Sequence, residues 1–83
     1  MLQSVQVRYY AQLREALKMS SEVVSLELPI SERDLLSILA NRHPKQKELL
    51  FASRVAVDEG YVPGEKTFTG FSEVDIISPV SGG

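Results

Sequence analysis

Hydrophobic and polar positions alternate at the start of the chain and then change step. Val5, Val7 and Tyr9 interleave with Gln6, Arg8 and Tyr10, a period of two that predicts a half-buried strand from about Leu2 to Tyr10. From Ala11 to Lys18 the period becomes helical, with Tyr10, Leu13 and Leu17 on one stripe. After Ser20-Ser21 the period of two returns in Val24, Leu26 and Leu28, until Pro29 removes a ladder donor. Ser31-Glu32-Arg33-Asp34 has the Ser-x-x-acid form of a capping box and precedes Leu35, Leu36, Ile38 and Leu39. It predicts the main helix, which Arg42-His43-Pro44 should end, because a residue before proline is pushed out of the α region. Leu49-Leu50-Phe51 predicts a short helical turn. Val55 and Val57 predict a third strand, Thr67-Phe68-Thr69 a brief edge strand, and Val74, Ile76 and Ile77 the last one. Val7, Leu26, Leu35, Leu39, Val57 and Phe68 are assigned to the core on period alone.

A hairpin, a long helix and further strands imply an α+β fold in which a mixed sheet packs on one main helix. The economical solution is the β-grasp, or ubiquitin-like, arrangement. Its first and last strands pair in parallel at the sheet centre, and the C-terminal segment leaves from the sheet's end. The expected organisation is one domain over residues 1–78 and an extended tail over 79–83.

At 83 residues a single domain buries only about 60% of the surface its unfolded chain exposes, so the core must be simple and well patterned. Hydrophobic residues at 43% and charged residues at 24% indicate an ordered globular chain. The absence of cysteine excludes disulfides, thiolate metal sites and cysteine nucleophiles, and suits a reducing cytoplasm. A formal net charge of -2 without runs of either sign disfavours a nucleic-acid partner. The N-terminal segment lacks a basic start followed by an apolar run, and no apolar run reaches membrane-spanning length. The expectation is a cytoplasmic protein without membrane attachment.

Few residues carry chemistry. His43 is the sole histidine, so triads and multi-histidine metal sites are excluded by counting; it is assigned to the surface at a helix end. Asp58-Glu59 lacks the further ligands of a calcium loop, and Gly60, Gly64 and Gly70 read as turn glycines. No metal site is expected. The remaining candidate is the end itself, Pro79-Val80-Ser81-Gly82-Gly83: a φ-restricting proline, then small residues, then a free carboxylate. Fully extended, five residues reach roughly 17 Å, enough to carry that carboxylate into a partner's interior. Tyr10 and Ile77 are out of step with the inward positions of their strands and Tyr61 lies in a loop, so these three are candidates for a docking patch.

Val7-Arg8-Tyr9-Tyr10-Ala11-Gln12-Leu13-Arg14-Glu15, the helix ending in His43-Pro44, Val55-Ala56-Val57-Asp58 and the terminal Pro79-Val80-Ser81-Gly82-Gly83 together resemble the small subunits of molybdopterin synthase, the MoaD-type sulfur carriers. The chain departs from that pattern with Asp58 in place of a common Asn, Ser78 in place of a common first Pro, and Phe71-Ser72 in place of a Gly-Asp turn. The resemblance implies a non-enzymatic subunit of a heterotetrameric synthase that binds no cofactor itself. It also implies that an adenylating, E1-like enzyme uses ATP and Mg²⁺ to activate the Gly83 carboxylate. A sulfur donor protein then forms a thiocarboxylate, and the tail enters the large synthase subunit to sulfurate cyclic pyranopterin monophosphate. A ubiquitin-like modifier joined through Gly83, or the sulfur carrier of thiamine biosynthesis, remains the alternative.

Overall fold

The computed structural model describes residues 2–57, the backbone of 61–62, and 67–79. Strand β1 (Leu2–Tyr10) runs into helix α1 (Ala11–Leu17), and β2 (Ser21–Glu27) returns antiparallel to β1. A cis Leu28–Pro29 peptide leads to β3 (Ile30–Ser31) and the main helix α2 (Glu32–Arg42). A 3₁₀ turn (Pro44–Gln46) and the short α3 (Lys47–Phe51) follow, then β4 (Arg54–Ala56), β5 (Tyr61–Val62), β6 (Thr67–Phe68) and β7 (Glu73–Ile77).

The strands form a four-stranded sheet in the order β2-β1-β7-β4 and a small sheet in the order β3-β6-β5. In the larger sheet β1 and β7 are central and parallel, with Val7 opposite Val74 and Tyr9 opposite Ile76. The arrangement is the β-grasp. Some details of the strands differ from the sequence expectation. Thr67-Phe68 is the middle strand of the second sheet and not an edge, because two-residue segments at Ile30–Ser31 and Tyr61–Val62 flank it. Strands of two residues are too short for any period to show. The expected third strand ends at Ala56, and Val57 only packs against the core's margin.

Alternation dictates the core. Val5, Val7 and Tyr9 of β1, Val24 and Leu26 of β2, and Val74 and Ile76 of β7 face Leu35, Leu36 and Leu39 of α2, and all are buried. Each such aliphatic side chain contributes about 1.5–3 kcal/mol through burial. Phe68 is buried as expected and meets Phe71 edge to face at 5.9 Å. Phe71 fills the core from a segment where the sequence pattern predicts only a turn.

Capping fixes where the helices begin and end. The Ser31 hydroxyl accepts from the Asp34 N–H at 3.0 Å, closing the predicted N-terminus of α2. At the other end the His43 N–H donates to the Leu39 carbonyl at 2.9 Å. Helix α1 stops at Lys18, whose φ of 58° lies in the left-handed region. A Cβ in that region is strained, and helices usually place glycine there. Lys18→Gly should therefore raise stability by about 0.5–1 kcal/mol, the relief of strain outweighing the greater entropy of the unfolded chain. Urea denaturation checks it: the midpoint should rise at constant slope, and a lower midpoint would remove the strain account.

Candidate functional site

The four-stranded sheet has two unlike faces. One packs on α2; the other carries Ser4, Gln6, Arg8 and Tyr10 of β1, Glu73, Asp75 and Ile77 of β7, and Arg54 and Ala56 of β4, none of them buried. Strand register arranges these in rows. Tyr10 lies opposite Ile77 across the parallel pair, and Arg54 lies opposite Ile77 on its other side. Tyr10 is 38% exposed and Ile77 45%, so the two hydrophobic side chains are neighbours on the open face. The next row pairs Arg8 with Asp75 through a 2.6 Å Nε–Oδ1 contact, with Glu73 at 3.7 Å from Nη1. That hydrogen bond, opposed by partial burial, raises the Arg8 pKa still further, so its charge is permanent. The Tyr10 hydroxyl donates to the same Asp75 oxygen at 3.4 Å. The result is an apolar pair with a charged border at the end of β7, where the tail begins.

Two of the three docking candidates are thus brought together. Tyr61 is not on this sheet: its backbone belongs to β5 of the small sheet, opposite Phe68, and its side chain lies outside the described residues. Of the tail, Pro79 is described and exposed; Val80, Ser81, Gly82 and Gly83 lie outside the described residues. Asp58, Glu59, Gly60 and Gly64 lie outside them too.

His43 corrects the expectation of a simple surface residue. Its side chain is only 18% exposed, and its Nε2 donates to Glu22 Oε2 at 2.7 Å. Tyr9 donates its hydroxyl to the same oxygen at 2.5 Å, and Arg42 Nη2 reaches Oε1 at 2.8 Å. The Tyr9 and His43 rings meet edge to face at 6.2 Å. Burial by itself would push the Glu22 carboxyl up; the hydrogen bonds from Tyr9, His43 and Arg42 outweigh it and bring the pKa from 4.5 down to about 2. Burial, reinforced by Glu22, pushes the Tyr9 phenol well above its ordinary range. The group is a clamp between the hairpin and the end of α2, with no nucleophile in it. Its sequence signal is the phase of β2, since Glu22 shares the inward phase of Val24 and Leu26 and so requires polar partners.

Because the folded pKa of Glu22 is depressed, its contribution to stability is complete above pH 4.5 and is lost as pH falls toward about 2. Glu22→Gln keeps the shape but removes the charge, and should cost about 1–3 kcal/mol at neutral pH. Denaturant unfolding from pH 7 to 2 checks both points: the stability gap between parent and variant should close below pH 4.5. A gap independent of pH would sink the assignment.

A family model described as the ThiS family matches residues 7–83. Among solved structures, the chain is similar to a candidate molybdopterin converting factor subunit 1 from Pyrococcus furiosus, at 26% identity and a TM-score of 0.68. The similarity covers 93% of this chain and 98% of the other. No curated protein sequence matches.

Proposed function

The chain belongs to the ThiS family, and from that premise we propose that this sulfur carrier holds sulfur as a thiocarboxylate at Gly83 and donates it to cyclic pyranopterin monophosphate in molybdopterin formation. The observation that carries the reading is the placement of the tail's root. Pro79 leaves from the end of a central strand, beside the Tyr10–Ile77 pair on an open sheet face. A partner seated on that face would receive the tail directly. The likeness to the Pyrococcus furiosus protein favours the molybdopterin pathway over the thiamine one.

The chemistry follows from what the chain lacks and has. With no cysteine, sulfur can be carried only at a carboxyl carbon. A carboxylate is a poor electrophile, so an adenylating enzyme using ATP and Mg²⁺ converts it to an acyl-adenylate with AMP as leaving group. Sulfide-level sulfur handed over by a sulfur donor then attacks the acyl carbon, forming the C–S bond as the C–O bond to AMP breaks, and leaves the thiocarboxylate. Gly82 and Gly83 let flanking backbone approach closely, and enclosure of the tail in the large synthase subunit limits hydrolysis. Acid–base and phosphate-handling groups belong to these partners. The carrier works in the cytoplasm, where it meets the activating enzyme and ATP.

Intact mass of the protein from its native cell tests the reading. A shift matching oxygen-to-sulfur exchange at Gly83 is expected; conjugates to other proteins alone would replace the carrier with a modifier. Deleting Gly83 draws the carboxyl back by about 3.3–3.6 Å, where an error of 1 Å in reacting geometry can cost about a hundredfold. Gly82→Val keeps the reach but adds a β-branched side chain where a narrow slot fits backbone. Both variants should unfold within about 0.5 kcal/mol of the parent, yet lose ATP-pyrophosphate exchange with the activating enzyme. Parental exchange by either would remove the tail from the mechanism.

The docking face has its own test. Ile77→Glu places a charge where the partner should cover an apolar side chain, while Arg54 across the ladder offers it a counter-charge in the free protein. Partner affinity should fall by about 1–3 kcal/mol with the fold retained. Calorimetric titration against the large subunit measures it, and unchanged affinity would exclude Ile77 from the interface.

A further inference from the structure

One polar residue beside the tail is almost completely enclosed. Ser78 follows β7 directly and is 2% exposed, while the next residue, Pro79, is exposed. The Ser78 hydroxyl donates to the Tyr10 carbonyl at 3.1 Å and accepts from the Leu13 N–H at 3.4 Å. These partners are the last residue of β1 and the third residue of α1. Tyr10 occupies the N-cap of α1 but supplies no side-chain cap, so Ser78, 65 residues from the Leu13 N–H it accepts, takes that part. The same junction holds Ala11 at φ 54°, a left-handed conformation that persists for a residue with a Cβ only where its surroundings fix it. A single hydroxyl therefore joins the end of β1, the first turn of α1 and the end of β7.

We infer that Ser78 is the positioning residue of the tail: its hydroxyl fixes where and in which direction Pro79 leaves the sheet, the root from which the Gly83 carboxyl is to be presented to a partner. The inference rests on the tail chemistry proposed above. Leverage is its physical basis. Drawn out straight in a partner's slot, five residues would span roughly 17 Å, so a turn of about 10° at the root would displace the far end by about 3 Å. Misplacement of that size is large beside the tolerance of a reacting pair. Proline at 79 restricts φ next to the anchor, so little rotational freedom enters before the tail proper.

The test compares Ser78→Ala with Ser78→Thr, which retains a hydroxyl, and with Ser31→Ala, which removes the equivalent cap from α2. Amide exchange read by NMR requires no partner. Ser78→Ala should speed exchange at Leu13 about tenfold, and Ser31→Ala should leave Leu13 unchanged. With the activating enzyme, Ser78→Ala should lower the rate of adenylation at saturation at least tenfold, while affinity measured without ATP stays within about threefold of the parent. Ser78→Thr should recover most of the rate, and Ser31→Ala should adenylate normally. Faster Leu13 exchange with a parental adenylation rate would make Ser78 a helix cap only and overturn the inference. A loss of rate shared equally by Ser31→Ala would assign the effect to general destabilisation and overturn it as well. If Ser78→Thr is too large for its enclosure, the Ala pair and the exchange data still decide. Failure of the parent itself to be adenylated would refute the tail chemistry, an outcome distinct from either.

Discussion

The parallel pairing of β1 with β7 is the contact on which the other elements rest. It joins residues 67 positions apart in sequence, as the Arg8–Asp75 ion pair shows, and it makes the first and last strands the middle of the larger sheet. Once it forms, the hairpin strand β2 and the short β4 have edges to add to, and α2 has a continuous apolar surface to cover. The same pairing sets the site: a strand central in the sheet and last in the chain delivers its outgoing segment at the sheet's end, beside whatever the open face presents.

A core this small has little apolar surface to spare, and specific polar ties hold its margins. Glu22 clamps the hairpin to the end of α2 through Tyr9, His43 and Arg42. Glu32 accepts the Val55 N–H at 2.9 Å and so occupies the outer edge of β4. Gln3 donates to the Phe71 carbonyl at 2.7 Å, holding the segment that brings Phe71 inward. Among the described residues no buried side-chain polar atom lacks a partner, which is what a low-dielectric interior demands. These ties specify where elements meet, whereas the aliphatic residues supply most of the driving force.

Period makes most of this fold legible in the sequence. Val5, Val7 and Tyr9 are assignable because one face of β1 is buried and the other open, and the same logic places Tyr10 and Ile77 outward. The Ser31 cap and the His43-Pro44 stop are legible because their mechanisms are local. What escapes is non-local or short. Ser78 reads only as a serine in place of a common proline until the fold brings it against Tyr10 and Leu13. The two-residue strands around Phe68 have no period to detect. His43 looks solvent-bound in sequence because its partners lie 21 positions and more away, on β2 and β1.

A central strand made from the last-numbered segment also bears on how the fold is reached. The hairpin, α1 and α2 close over short loops, but the sheet gains its middle only when residues 73–77 find residues 6–10. Closing so long a loop is entropically costly before any contact rewards it, so the rate-limiting event should be the capture of β7. Until then β1 presents an unpaired edge and the apolar face of α2 is partly bare, a form open to proteases and to aggregation. Since the tail's root exists only once β7 is captured, a partner seated on the β1–β7 face, as proposed, would select for carriers whose folding is complete.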